Sequence, residues 1–140
     1  MQYTKVSDGY LIRLKIGDKF VENLLKFAEE VGLHAGFFQA IGSLKEAELG
    51  FYHLDKKEYE FKSFSGDREL VNLTGNVSLV DGKPFVHMHC VLANENFSTI
   101  GGHLKEGTSG ATCEIYFVPF QKDIERVMDD EVGLKLLDCV

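Results

Sequence analysis

The chain reads as an α+β protein, a mainly antiparallel β-sheet of about six to eight strands with one long helix packed on it, in a single compact domain, residues 1–140. Three observations lead there. Only residues 17–32 carry a long helical apolar stripe, and almost everything after them breaks into β-rich runs separated by turn-forming residues. The composition, 44% hydrophobic and 26% charged, is that of an ordinary globular chain rather than a disordered one. A chain of 140 residues is long enough to bury roughly two-thirds of its unfolded surface in one core.

Taken in order, "GYLIRLKIG" alternates Tyr10, Ile12, Leu14 and Ile16 with more polar neighbours, the period of a strand. "GDKFVENLLKFAEEVG" changes period: Val21, Leu24, Leu25, Ala28 and Val31 fall on one face of a helix. Asp18 is suited to cap its start and Gly32 to end it. The runs "AGFFQAIGSLKEAELGFYHLD", "KEYEFKSF", "ELVNLTGNVSLVDG", "KPFVHMHCVLAN", "FSTIGGHL" and "ATCEIYFVPF" then read as strands, with turns expected at "SGD", "VDGK", "NEN" and "KEGTSG". The closing "KDIERVMDDEVGLKLLDCV" fits either a short strand followed by a C-terminal strand or a turn of helix.

Charge and cysteine usage exclude several function classes. Twenty-two acidic against fifteen basic residues give a formal charge of −7 with the Lys and Arg scattered, so nucleic acid is a disfavoured partner unless assembly gathers a basic face. Cys90, Cys113 and Cys139 are odd in number and widely spaced, which suits buried free thiols and not a disulfide framework or CxxC site. There is no membrane-length apolar run and no leader-like N-terminus, so a cytoplasmic location is expected.

Three of the five histidines crowd into "FVHMHCVLANENFSTIGGHL". In a strand, residues two apart share a face. Val86, Met88, Cys90 and Leu92 would line the core side, leaving His87 and His89 on the other. An antiparallel return after "NEN" brings His103 beside them, and Gly101 and Gly102 remove side chains that would obstruct the approach. Three neutral imidazoles suit Zn(II) with one coordination position left open, the arrangement of a catalytic zinc site; another divalent transition metal, Fe(II), Ni(II) or Mn(II), fits the same ligands. The bland alternative is a set of half-buried histidines hydrogen-bonded to neighbours. His34 and His53 lack this context and read as surface or satisfied residues.

The string "ELVNLTGNVSLVDGKPFVHMHCVLANENFSTIGGHL", followed by "ATCEIYFVPF" and preceded by "AGFFQAIGSLKEAELGFY", resembles the plant and prokaryote conserved (PPC, or PCC) domain over nearly the whole chain. The resemblance implies an antiparallel α+β fold, assembly as a homotrimer, and a metal site at His87, His89 and His103. The fold it implies is similar to that of acetolactate decarboxylase, where three histidines hold zinc. It also brings a competing expectation, because plant members couple the domain to basic AT-hook segments and act on DNA. No "RGRP"-type hook stands in this chain.

An enzyme would need a proton donor or acceptor beside the metal. Glu69 and Glu114 are candidates because they are embedded in strands, where a carboxylate needs a partner or a task, although a solvated or salt-bridged role suits them equally. Arg68 is placed to clamp a substrate carboxylate or simply to occupy a surface turn, and Thr74 and Asn76 to be pocket donors or exposed strand positions. The expected partners are further copies of the chain and a small molecule. Three function classes remain: a metal-dependent lyase or hydrolase, a DNA-binding regulator without turnover, and a ligand-binding sensor.

Overall fold

A computed structural model describes residues 1–139; the last residue of the expected domain lies outside them. The elements run β1 (Gln2–Val6), β2 (Gly9–Lys15), α1 (Phe20–Val31), β3 (Gly36–His53), β4 (Glu58–Val80), β5 (Lys83–Ala93), β6 (Thr99–Pro119), β7 (Arg126–Asp129) and β8 (Leu134–Leu137). Six strands form an antiparallel sheet in the order β1-β2-β6-β3-β4-β5, and β7 and β8 form a separate hairpin. β5 also pairs with the first part of β6, so β3, β4, β5 and β6 close on themselves. Among the described residues, eight strands and one helix agree with the expected class, and the described part of the C-terminal segment forms two strands rather than a helical turn.

Two of the expected turns are absent, and the reason lies in the sheet's curvature. β4 runs through "SGD" and β6 through "KEGTSG" without reversing. The turn-forming residues there make bulges: pairing skips between Leu44 and Glu46 opposite Arg68 and Ser65, with Gly66 at φ 94°, and between Gly42 and Leu44 opposite Cys113 and Ser109. Extra residues in one strand bend it and increase its twist. Long strands that would splay as flat ribbons thereby curl far enough to close.

The core lies between the curled sheet and α1. Phe20, Leu24, Phe27 and Ala28 of the helix are buried, meeting Phe38 and Phe117 of the sheet, whose rings stack at 6.2 Å. Val21, Leu25 and Val31 pack partly buried at the flanks of this contact. The stripe read from the sequence therefore faces the sheet, with its centre shifted onto the two phenylalanines, which carry the largest apolar area.

The helix start corrects the expectation for Asp18. Lys19 occupies the cap position without a side-chain bond, while the Asp18 carboxylate accepts from the Lys15 amide at 2.9 Å and the Met1 ammonium at 2.7 Å. Its carboxyl is held below the usual range, first by the bond from that ammonium. The capping role passes to Glu106 of β6, which accepts from the Val21 amide at 2.9 Å and the Glu22 amide at 3.3 Å. A carboxylate there satisfies orphan amides and meets the positive end of the helix dipole. Glu106→Ala should cost about 1 kcal/mol, within the usual range for a lost cap, seen as a lower urea midpoint with unchanged slope. Gly32 ends the helix as expected, at φ 66°, with the Leu33 amide donating to Ala28 O at 2.8 Å.

Candidate metal centre

Alternation along β5 settles which way the histidines look. Val86, Met88, Cys90 and Leu92 are buried in the core, so His87 and His89 project from the opposite face. The β5–β6 hairpin sets His103 directly opposite His89. On the other flank, β4 places Thr74 opposite His89 and Asn76 opposite His87. Both glycines before His103 are needed for this approach, because a Cβ at Gly101 would lie 2.7 Å from Cys90 O and one at Gly102 would lie 2.9 Å from Gly50 O. The obstruction they avoid is backbone, not imidazole.

The imidazole rings stand 5.2 to 5.6 Å apart, and one ligand nitrogen from each lies within 4.8 Å of the other two. Nitrogens at ~2.0–2.1 Å from a tetrahedral zinc are ~3.3 Å apart, a spacing reached by small side-chain rotations. His103 Nδ1 is buried without a hydrogen-bond partner, so one ring nitrogen of the group is held out of water with nothing to satisfy it. Tyr59 and Phe61 wall this side, their rings 5.0 and 6.4 Å from that of His103. The donor set and the orphaned nitrogen fit a divalent transition metal.

Burial keeps two of these rings, His87 and His103, neutral. Burial, then the Arg126 guanidinium and the other two imidazoles, lowers the His87 pKa to about 4. His103 is lowered as well, chiefly by burial and then by His89. Neutral imidazole is the ligating form, so protons compete weakly with a metal at these two positions. Between pH 6.5 and about 4 the unfolded chain binds protons at residue 87 that the folded chain refuses. Stability of the metal-free protein should therefore be unaffected by this group above pH 6.5 and fall as pH drops through that window. Thermal melts in chelator should show the decline, and His87→Gln should reduce it.

The other expected site residues are dispersed. Glu69 is exposed on the histidine face but pairs with Ala93, four residues and about 13 Å along β5 from His89. Glu114 is exposed opposite Arg13 and Ile41, beside Tyr116 and Gln39. Neither joins the group of ligand atoms. Arg68 lies within β4 with its guanidinium 5.8 Å from the Phe64 ring and a buried, unpartnered Nε. His34 pairs with Asp123 at 3.2 Å and His53 with Glu60 at 3.1 Å, both away from the centre, as expected. Cys90 and Cys113 are buried and Cys139 is exposed; burial raises the Cys90 thiol to about 11.

Two neighbours of the centre were missed from the sequence. Tyr59 sits among glutamates in "EYEF", and Arg126 stands alone in "IERVMD", where a single basic residue in a short strand was the only signal.

An antiparallel α+β sheet with three histidines gathered on a closed hairpin defines a class, and comparison places the chain within it. Residues 1–121 match the Plants and Prokaryotes Conserved (PCC) domain, and the chain belongs to that family. A metal-containing protein from Archaeoglobus fulgidus is 36% identical, with a TM-score of 0.87 over 98% of each chain. A plant- and prokaryote-conserved protein from Pyrococcus horikoshii is 34% identical, TM-score 0.88, over 99% of this chain and 96% of that one. A protein from Ralstonia eutropha described as a candidate DNA-binding protein is 32% identical, TM-score 0.92, with the same coverage. Acetolactate decarboxylase from Bacillus subtilis shares the fold alone, at 11% identity and TM-score 0.59 over 89% of this chain and 56% of that one. The chain spans 15% of the curated relative it matches, the bifunctional protein GlmU of Synechococcus, at 34% identity over 108 residues.

Proposed function

We propose that the protein is a metal-dependent binding protein or enzyme for a small molecule, with His87, His89 and His103 holding zinc or another divalent transition metal. The observation that carries this is the trio of same-face imidazoles whose ligand atoms lie within 4.8 Å of one another, with His103 Nδ1 buried and unpartnered. The likeness to a metal-containing relative supports it. When bound, such a metal with an open position polarises a carbonyl or carboxylate, or lowers the pKa of a bound water, which are the needs of lyase and hydrolase chemistry. This chain's own residues orient the ligands and hold water back: Gly101 and Gly102 admit the hairpin's close pairing, and Tyr59 and Phe61 cover one flank.

The proposed working form is a cytoplasmic homotrimer. Leu11, Ile41 and Tyr116, each about half exposed, make an apolar outer surface on β2, β3 and β6 that a second copy would cover. Glu114 lies on that surface and Glu69 lies opposite Ala93, apart from the ligand atoms, so a proton-transfer role for either belongs to the proposal only through contact between subunits. Light scattering should give three times the 15.7 kDa chain mass.

DNA binding without turnover is the second reading, favoured by the description of the Ralstonia protein and opposed by the charge of −7. Elemental analysis of untagged, natively purified protein tests the first reading. It should find near-stoichiometric metal, and turnover of small carbonyl or carboxylate compounds should cease on chelation. Salt-dependent retention on DNA by metal-free protein would favour the second.

A further inference from the structure

Arg126 lies beyond the residues that match the family, at the start of β7, and is 7% exposed. Its guanidinium donates to Ser78 Oγ at 2.7 Å, Asn76 Oδ1 at 2.9 Å and Lys135 O at 3.2 Å, all neutral acceptors. Among the described residues it forms no ion pair with a carboxylate, whereas Lys135 next to it pairs with Asp81 at 2.6 Å. A buried cation with no counter-charge is costly, and a guanidinium has five N–H donors, so a donor on each terminal nitrogen is left over. Its place is the histidine face. Asn76, which it grips, is the strand partner of His87, and the guanidinium charge acts on both His87 and Tyr59, the latter with its ring 5.0 Å from that of His103.

We propose that Arg126 is the anion-binding group of the metal centre and that the small molecule carries a carboxylate, held by Arg126 while its neighbouring oxygen faces His87, His89 and His103. This rests on the metal reading above and adds the ligand's charge and orientation. A planar fork suits a carboxylate bidentately. One uncompensated positive charge matches one carboxylate rather than a phosphate dianion.

The test titrates zinc-loaded protein with glycolate, with its neutral amide glycolamide and with inorganic phosphate, in the wild type, Arg126→Lys and Arg126→Gln. Metal content and melting temperature are read on the same samples. Glycolate should bind about tenfold more weakly to Arg126→Lys and about 100-fold more weakly to Arg126→Gln, with glycolamide affinity and metal content unchanged. A purely structural arginine, fastening β7 to β4, would lower the melting temperature and leave the glycolate-to-glycolamide ratio alone; that result, or equal glycolate affinity in all three proteins, overturns the proposal. Should Arg126→Gln fail to fold, the ratio in Arg126→Lys decides. Arg126-dependent binding of phosphate more tightly than glycolate overturns the carboxylate assignment. If the wild type takes up no zinc, the metal reading fails by itself, and glycolate binding to metal-free protein decides the arginine: loss in the variants sustains it, no binding refutes it.

Discussion

His89→Ala should weaken zinc binding by roughly 100-fold, and His103→Ala by a similar factor. Structural zinc sites bind with about 10–16 kcal/mol spread over four ligands, so one imidazole carries about 3 kcal/mol, and each 1.4 kcal/mol is tenfold. His89 is the central member, set between Thr74 on β4 and His103 on β6, and its removal leaves two imidazoles that cannot enclose an ion. Because His89 is exposed while its strand neighbours Met88 and Cys90 are buried, the variant should fold as well as the wild type. Zinc at 100 times its Kd should stabilise the wild type by about 2.7 kcal/mol and barely move the melting temperature of the variant. Equal metal content in both proteins would remove His89 from the ligand set.

Gly42→Ala should destabilise the fold by about 3 kcal/mol or more, with urea unfolding as the measurement. Gly42 sits at φ 142°, a conformation essentially reserved for glycine, where β3 bulges against β6. An added Cβ would stand 2.1 Å from Thr112 O and 2.8 Å from Cys113 Cα, both backbone atoms of a paired strand that cannot swing aside. Gly82→Ala provides the comparison: φ is also positive, at 73°, but a Cβ there meets nothing within 4 Å, so only the conformational cost remains. Equal losses at the two positions would show that the bulge relaxes.

The histidine pair was legible because strand alternation is strict: four apolar residues on one side of β5 oblige His87 and His89 to take the other, and a short turn obliges His103 to return. The helix was legible from its period. Its cap was not, because the capping carboxylate, Glu106, comes from 85 residues away and nothing local to Asp18 reveals the competing Met1 and Lys15 donors. Turn-forming residues in "SGD" and "KEGTSG" misled for a related reason: glycine that permits a reversal equally permits a bulge, and only the partner strand decides which occurs. Arg126 stayed hidden because its significance arises from what it lacks, a carboxylate partner, and that is a property of the folded surroundings.

All three imidazoles come from one hairpin, residues 87–103, whereas the pairings that hold the sheet join residues as distant as Tyr10 and Phe117. Closing so short a loop costs little chain entropy compared with docking the terminal strands. A cation captured by this segment can therefore align β5 with β6 before the distant strands arrive, acting as a nucleus for assembly in a topology whose many long-range pairings make it slow to form. With its ligands already aligned in that nucleus, the metal would raise the folding rate by nearly as much as it raises the final stability, and any grip of the unfolded chain on the ion lowers both gains together.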